Sequence, residues 1–233
     1  MPNIFDFNLV FTQIPILLKY LPVTLEITVL SMIFGLVFGL ILAIVKIKRL
    51  PFFTQAVNVF ISFTRGTPIL VQLYLTYYGI PIFLRYYNFY NGTDYNLNNI
   101  PPLLFVLVTF SLNEAAYNSE SIRAAIQAIE KGQIEAAYSL GMTFVQVLRR
   151  IIIPEAFVVA LPTLGNALIS LLKGTSLAFV CSVVEMTAQG KILAGANYRY
   201  FEVYVSLAII YWILTIIIEQ SIKLIEKKVM IPE

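Results

Sequence analysis

Histidine is absent from this 233-residue chain, cysteine occurs once, and only 12% of the residues are charged. Soluble domains usually carry about 25% charged residues and about 45–50% apolar residues. In this chain 59% of the residues are hydrophobic, and the mean hydropathy is +0.81. Such a composition leaves too little polar surface to face water on all sides. It therefore predicts an integral membrane protein.

The same scarcities exclude several functional classes. A single cysteine, Cys181, excludes an internal disulfide, and one thiol without any histidine argues against a metal site. A net charge of only +3 is too small to indicate a nucleic-acid-binding surface. No nucleophile–base motif indicates a catalytic residue. No G-x-x-x-x-G-K-[ST] phosphate-binding loop occurs either, so we expect no ATP hydrolysis by that route.

Long apolar runs dominate what is present. A helix needs about 20 apolar residues to cross a bilayer, and lipid allows only helices or closed barrels. The runs are continuous rather than alternating, which predicts helices. We expect one all-α membrane domain, residues 1–233, with about five transmembrane helices at 25–45, 52–80, 102–129, 152–172 and 201–225. The second of these is interrupted by "TRGTP", and the third carries polar residues in its middle.

Lysine and arginine predict the orientation, because cytoplasmic loops carry an excess of both. One side of the predicted helices collects most of them, namely Lys46, Lys48, Arg49, Lys131, Arg149, Arg150, Lys223, Lys227 and Lys228. The other side holds only Lys19, Arg85, Lys191 and Arg199. This bias predicts an N-terminus outside the cell membrane and a C-terminus in the cytoplasm, with a cytoplasmic loop at 130–154.

Two shorter patterns refine this architecture. Gly35 and Gly39 are separated by three residues, a spacing that lets two membrane helices approach closely. Residues 174–199 contain an apolar core that is too short to span, which predicts a re-entrant or outer segment.

The cytoplasmic loop contains the amphipathic stretch "GQIEAAYSLGMTFVQVLRRIIIPEA", residues 132–156. An amphipathic helix of this kind either lies on the bilayer or contacts another protein. The polar face is not basic, as a membrane-surface helix usually is, so a protein partner is favoured. Gly141 predicts a bend or a close backbone approach in this helix. Pro154 predicts a break before the next span.

This stretch resembles the EAA loop of the permeases of ABC importers. That pattern reads EAA, three residues, G, nine residues, I, one residue, LP. The chain has Glu135-Ala136-Ala137, then Gly141, then Ile151, and finally Ile153-Pro154, with isoleucine in place of leucine. The stretches "SFTRGTPILVQLYLTYYGIP", "SESIRAAIQAIEKGQIEAAYSLGM" and "YRYFEVYVSLAIIYW" resemble the polar amino-acid branch of these permeases.

The resemblance implies a type I ABC importer permease fold with a cytoplasmic coupling helix between the third and fourth spans. That helix would dock on a dimer of ATP-binding subunits, which would bind the ATP and Mg²⁺, since this chain has no cofactor of its own. The implied docking positions are Glu135, Ala136, Ala137, Ser139, Leu140, Gly141, Met142 and Thr143. A second permease copy and an extracytoplasmic binding protein would complete the complex; a homodimer is favoured and a heterodimer stays open.

Burying a charged residue inside a membrane-spanning helix costs free energy, so such residues are candidates for a functional role. Arg65 lies about 12 residues into the second span, roughly 18 Å along the helix, which predicts a position close to the membrane midplane. An amino-acid zwitterion needs donors for its carboxylate and acceptors for its ammonium group. Arg65 or Lys173 could supply the first and Glu114 the second, with neutral hydrogen bonds from Gln72, Asn113, Tyr117 and Thr175. Alternatively, Arg65 and Glu114 neutralise each other or serve the dimer interface.

Glu120 and Arg123 are three residues apart on the third span, which suits a structural ion pair.

"KGTSLAFVCSVVEM" and "YRYFEVYVSLAIIYW" resemble cystine permeases more than arginine or glutamine permeases. Cystine is two-fold symmetric, so a homodimer could present Arg65 and Glu114 to both of its ends. A different class, a non-transporting sensor or scaffold on the same helices, stays open and would lack ATP-dependent substrate flux.

Overall fold

The computed structural model describes residues 5–95 and 100–229, and the remaining residues of the predicted domain lie outside these ranges. Within them the chain forms helices and connecting turns, without a strand. The α-helices are α1 Phe7–Leu18, α2 Leu21–Lys48, α3 Phe53–Gly66, α4 Ile69–Asn91, α5 Pro102–Gln127, α6 Lys131–Ser139, α7 Phe144–Val147, α8 Ile153–Gly174, α9 Met186–Asn197 and α10 Tyr200–Val229.

Within the part of the chain that the structure describes, three continuous helical stretches are long and apolar enough to cross a membrane: Leu21–Lys48, Phe144–Cys181 and Tyr200–Val229. Counting the bent pair α3 and α4 as one span raises the number to four. α5 has 26 residues, long enough to cross, but its middle is polar and packs inside the protein. The predicted all-α architecture is confirmed, whereas the count of five spans stays a prediction.

The second predicted span is not one straight helix. α3 and α4 meet at an angle of 111°. Pro68 has no backbone N–H to continue α3, and it forces the preceding Thr67 into an extended conformation, with φ −115° and ψ 142°. The interruption predicted at "TRGTP" is therefore a sharp bend between two helices, and the position of Arg65 near the membrane midplane stays a prediction. Arg65 lies in the last turn of α3, beside the break.

α2 packs closely against α5 at Gly35 and Gly39, the two glycines whose spacing predicted a close approach of two helices. A Cβ atom built on Gly35 would lie 2.5 Å from the Glu114 Cβ, and one on Gly39 would lie 3.2 Å from the Ala115 carbonyl oxygen. This contact fixes the position of the polar middle of α5. The main hydrophobic core surrounds it and includes Phe110, Leu73 and Leu171.

The N-terminal helix α1 was not predicted. Asp6 begins it by accepting hydrogen bonds from the backbone N–H groups of Asn8 and Leu9. The helix packs against α9 and α10, and the Ser206 hydroxyl donates to the Val10 carbonyl at 2.8 Å. At 12 residues, α1 is too short to span a bilayer.

The expected break at Pro154 was also wrong. Helical backbone continues from α7 through a five-residue π-helical turn, Leu148–Ile152, into α8. Pro154 lies in the first turn of α8, directly after that turn. A wide π turn changes the local hydrogen-bond register, which lets the helix continue past a residue that lacks an N–H.

Candidate functional site: a cavity beside the helix break

A cavity of about 590 Å³, here called the central cavity, opens where the α3–α4 break faces α5 and α8. Four of the predicted site residues line it: Arg65, Asn113, Glu114 and Tyr117. Residues that the sequence did not single out complete its wall, among them Phe110, Ser170 and Gly174. The volume falls within the ~300–1,000 Å³ range of small-molecule sites.

Arg65 and Tyr117 form one side of the central cavity. The Arg65 guanidinium carbon lies 5.2 Å from the centre of the Tyr117 ring, within the range of a cation–π contact. Among the described residues Arg65 forms no ion pair with Glu114, although both line the same cavity. The structure therefore does not support the alternative that these two residues neutralise each other as an ion pair.

Asn113 and Glu114 line the same cavity one helical turn before Tyr117 on α5, and each is only 8% exposed. The Glu114 carboxylate accepts a hydrogen bond of 3.4 Å from the Asn118 amide. The Asn113 amide donates to the Gln72 side-chain oxygen at 3.1 Å. A buried carboxylate with one neutral partner retains lone pairs that can accept from an ammonium group.

Gln72 lies beside the central cavity but does not line it. Its amide nitrogen donates to the carbonyl oxygens of Thr64 at 2.7 Å and Thr67 at 3.0 Å, and to the Thr67 hydroxyl. These bonds satisfy backbone groups that the α3–α4 break leaves without helical partners. Gln72 therefore stabilises the break between α3 and α4, and it orients the Asn113 side chain by accepting its hydrogen bond.

Two predicted ligands lie outside the central cavity. Lys173 is exposed near the end of α8. Thr175 is completely buried, and its hydroxyl donates to the Leu172 carbonyl at 2.7 Å. The structure brings neither residue to Arg65 and Glu114; in their place Gly174, between them in the chain, lines the cavity.

A charge cluster lies one to two turns further along α5. Arg123 donates to the Glu120 carboxylate at 2.7 Å, which is the pair expected from their spacing. Lys46 of α2 contacts the same carboxylate. Sequence spacing could not reveal Lys46, because it is 74 positions from Glu120.

The segment that resembles the EAA loop forms two short helices, α6 and α7, with a tight turn between them. Gly141 has φ +79°, a left-handed conformation that glycine adopts without a Cβ clash. No atom lies within 4 Å of a Cβ built there, so this glycine serves the turn rather than a close approach. Thr143 and Gln146 then begin α7 with a reciprocal pair of hydrogen bonds.

Most of the predicted docking positions lie on the surface: Glu135, Ala136, Ser139, Leu140, Gly141 and Thr143 are exposed, and Met142 is partly so. Leu140 is 84% exposed, and Phe144 and Val145, four and five positions further along the chain, are exposed as well. Large apolar side chains left exposed in this way are expected where a protein makes a contact. Ala137 differs, because at 5% exposure it packs into its own chain and cannot contact a partner in this conformation.

Glu185 was missed by the sequence analysis. It is fully buried and begins α9, accepting hydrogen bonds from the Ala188 N–H at 2.7 Å and the Thr187 N–H at 2.9 Å. Thr24 of α2 and Tyr211 of α10 also reach its carboxylate, each at 3.4 Å. An acidic residue just before a helix is a known start signal, and it was present in "VVEMTAQG". Glu185 fixes the 174–199 segment to both neighbouring helices.

Residues 35–231 match the model of the family described as "Binding-protein-dependent transport system inner membrane component". The chain belongs to this family. It is therefore a multi-pass cell-membrane protein and the permease subunit of an ABC importer. The permease is not itself an enzyme, because ATP hydrolysis belongs to a separate ATP-binding subunit.

Curated relatives place this permease among the amino-acid transporters. It is 41% identical over 215 residues, 92% of each chain, to the probable amino-acid permease protein YxeN of Bacillus subtilis (strain 168). It is 40% identical to the L-cystine transport system permease protein TcyL of the same strain, over 98% of this chain and 93% of TcyL. The arginine transport system permease protein ArtQ, also of that strain, is 34% identical, over 96% of each chain.

Solved structures agree with this family and with the fold. A chain in the "Crystal structure of an amino acid ABC transporter with histidines" superimposes with a TM-score of 0.81 at 35% identity, covering 96% of the permease and 99% of that chain. A chain of the MetNI methionine ABC transporter superimposes with a TM-score of 0.71 at 20% identity, covering 94% of the permease and 99% of that chain. The permease thus has the type I ABC importer permease fold.

Proposed function

We propose that the permease imports a polar amino acid through the central cavity, with the zwitterion held between Arg65 and Glu114. The observation that carries this proposal is that these two opposite charges line one cavity without pairing with each other. Arg65 would bind the carboxylate and Glu114 the ammonium group. Asn113 and Tyr117 would add neutral hydrogen bonds, while Gln72 acts through Asn113. Lys173 and Thr175 have no part in this arrangement.

Cystine is the preferred substrate of this proposal. TcyL, a relative named for L-cystine transport, aligns over 98% of the chain. Cystine has an amino-acid group at each end, so two copies of the permease could each bind one end. Arginine and glutamine are the alternatives, and ArtQ supports the first of them by its name.

The complex of this proposal contains two copies of the permease, two ATP-binding subunits that hold ATP and Mg²⁺, and an extracytoplasmic binding protein. The whole chain acts as one transmembrane domain with its N-terminus outside and its C-terminus in the cytoplasm. The exposed surface of α6, the Gly141 turn and Thr143 docks on the ATP-binding subunit. ATP-driven closure of that subunit then changes the accessible side of the central cavity, which is alternating access.

Uptake by proteoliposomes that contain the full complex tests the substrate. Labelled cystine should accumulate when ATP and the loaded binding protein are supplied, and unlabelled arginine in excess should not compete. Uptake of arginine without cystine would overturn the preference for cystine. Binding-protein delivery without any ATP-dependent flux would overturn transport itself and favour a sensor.

A further inference from the structure

A second cavity, of about 450 Å³, adjoins the central cavity. The two share Arg65, Gly66 and Tyr117, so the cation–π contact lies at their junction. Residues that line only the second cavity include Lys46, Asn58 and Ser62. None of these three residues was predicted to line a site.

The charges of the two cavities differ. The central cavity contains a carboxylate, Glu114, whereas the described residues that line the second cavity include two cations and no acidic residue. Glu120 contacts Lys46 from outside that lining, but it is also bonded to Arg123. One carboxylate shared by two cations leaves one positive charge unmatched, and Arg65 adds another.

The position of the second cavity indicates the direction of passage. Lys46 lies in the last turn of α2, beside Lys48 and Arg49. This basic end of the helix faces the cytoplasm in the orientation that the lysine and arginine bias predicts. A substrate that leaves the central cavity past Arg65 and Tyr117 towards the cytoplasm therefore enters the second cavity.

We propose that the second cavity is an exit site that binds the carboxylate of the transported amino acid; this rests on the function proposed above. Arg65 belongs to both cavities and keeps its contact with the carboxylate as the ammonium group leaves Glu114. Lys46 then binds the same carboxylate, with hydrogen bonds from Asn58 and Ser62. The ammonium group finds no acidic partner there, so binding is weaker and permits release.

The test places a negative charge in the second cavity with little change of shape. Asn58 is exposed on α3 and nearly isosteric with aspartate, so Asn58→Asp should assemble normally. Gln55→Glu is the matched control, because Gln55 is exposed on the same helix and does not line the cavity. Initial uptake rates of labelled amino acid are measured in proteoliposomes, after co-purification with the ATP-binding subunit has shown that each variant assembles.

Asn58→Asp should lower the uptake rate about tenfold, because the hydrogen bond from Asn58 to the substrate carboxylate is replaced by repulsion between two carboxylates at short range. Gln55→Glu should transport at the unmodified rate. Ser62→Asp, one helical turn from Asn58, should act like Asn58→Asp and provides a second variant if the first fails to assemble. Equal rates for all three variants would overturn the exit site. If Asn58→Asp is slow while Glu114→Gln transports normally, the exit site stands and the assignment of the central cavity fails.

Discussion

Among the described residues that line the central cavity, Glu114 is the only acidic one. Glu114→Gln keeps the size of this side chain and removes its charge. A hydrogen bond to a charged group contributes about 1.5–3 kcal/mol, so uptake at low substrate concentration should fall roughly tenfold to a hundredfold. The measurement is the initial rate of ATP-dependent uptake against substrate concentration.

Asp94→Asn makes the same change of charge at an exposed position after α4, outside the cavity lining, and should leave uptake unchanged. A Glu114→Gln permease whose rate matches that of Asp94→Asn would contradict the role of Glu114 in binding.

Gly35 lies where α2 and α5 come closest, against the backbone and Cβ of Glu114. Gly35→Ala would place a methyl group 2.5 Å from that Cβ, so the helices must separate. Overpacking of this kind destabilises a protein by about 1–3 kcal/mol. We expect a lower midpoint of thermal unfolding for the purified permease in detergent.

Gly79→Ala provides the comparison, because a Cβ there would meet no atom within 4 Å, in the interior of α4. Alanine favours a helix interior by roughly 1 kcal/mol, so this variant should melt no lower than the unmodified permease. If both substitutions lower the midpoint equally, close packing is not the reason for glycine at position 35.

At the scale of the elements, the turn between α6 and α7 determines how the docking surface is presented. An alanine at position 141 would have to adopt φ +79° or alter the turn. The left-handed conformation costs an L-residue about 1–2 kcal/mol. Gly141→Ala should therefore reduce the amount of ATP-binding subunit that co-purifies with the permease.

Gly132→Ala is the matched substitution within α6, where a new Cβ would be no closer than 3.8 Å to any neighbour outside the helix. It should retain the ATP-binding subunit. Undiminished co-purification with Gly141→Ala would show that the left-handed turn is not needed for docking.

At the scale of the whole molecule, the proposed two-copy complex can be tested directly. Two differently tagged copies of the permease, expressed in one cell with the ATP-binding subunit, should both appear after purification on one tag. Copies expressed separately and mixed in detergent control for aggregation of the apolar surface. Recovery of a single tag together with a different permease would show a heterodimer instead.

The sequence by itself determined the membrane environment, the helical class and the family. These follow from composition, from continuous apolar runs and from the spacing Glu135, Gly141, Pro154, all of which are local in the chain. The Glu120–Arg123 pair was also local, because three residues make less than one turn of a helix.

Tertiary structure alone decided which polar residues share a cavity. The 111° break between α3 and α4 places Arg65 at the junction of two cavities, which the interruption "TRGTP" alone could not reveal. Lys46 and Gln72 acquired their partners from α5, which is distant in sequence. The physical reason is that helix periodicity relates positions within one helix, whereas the angle and closeness of two helices depend on all the side chains packed between them.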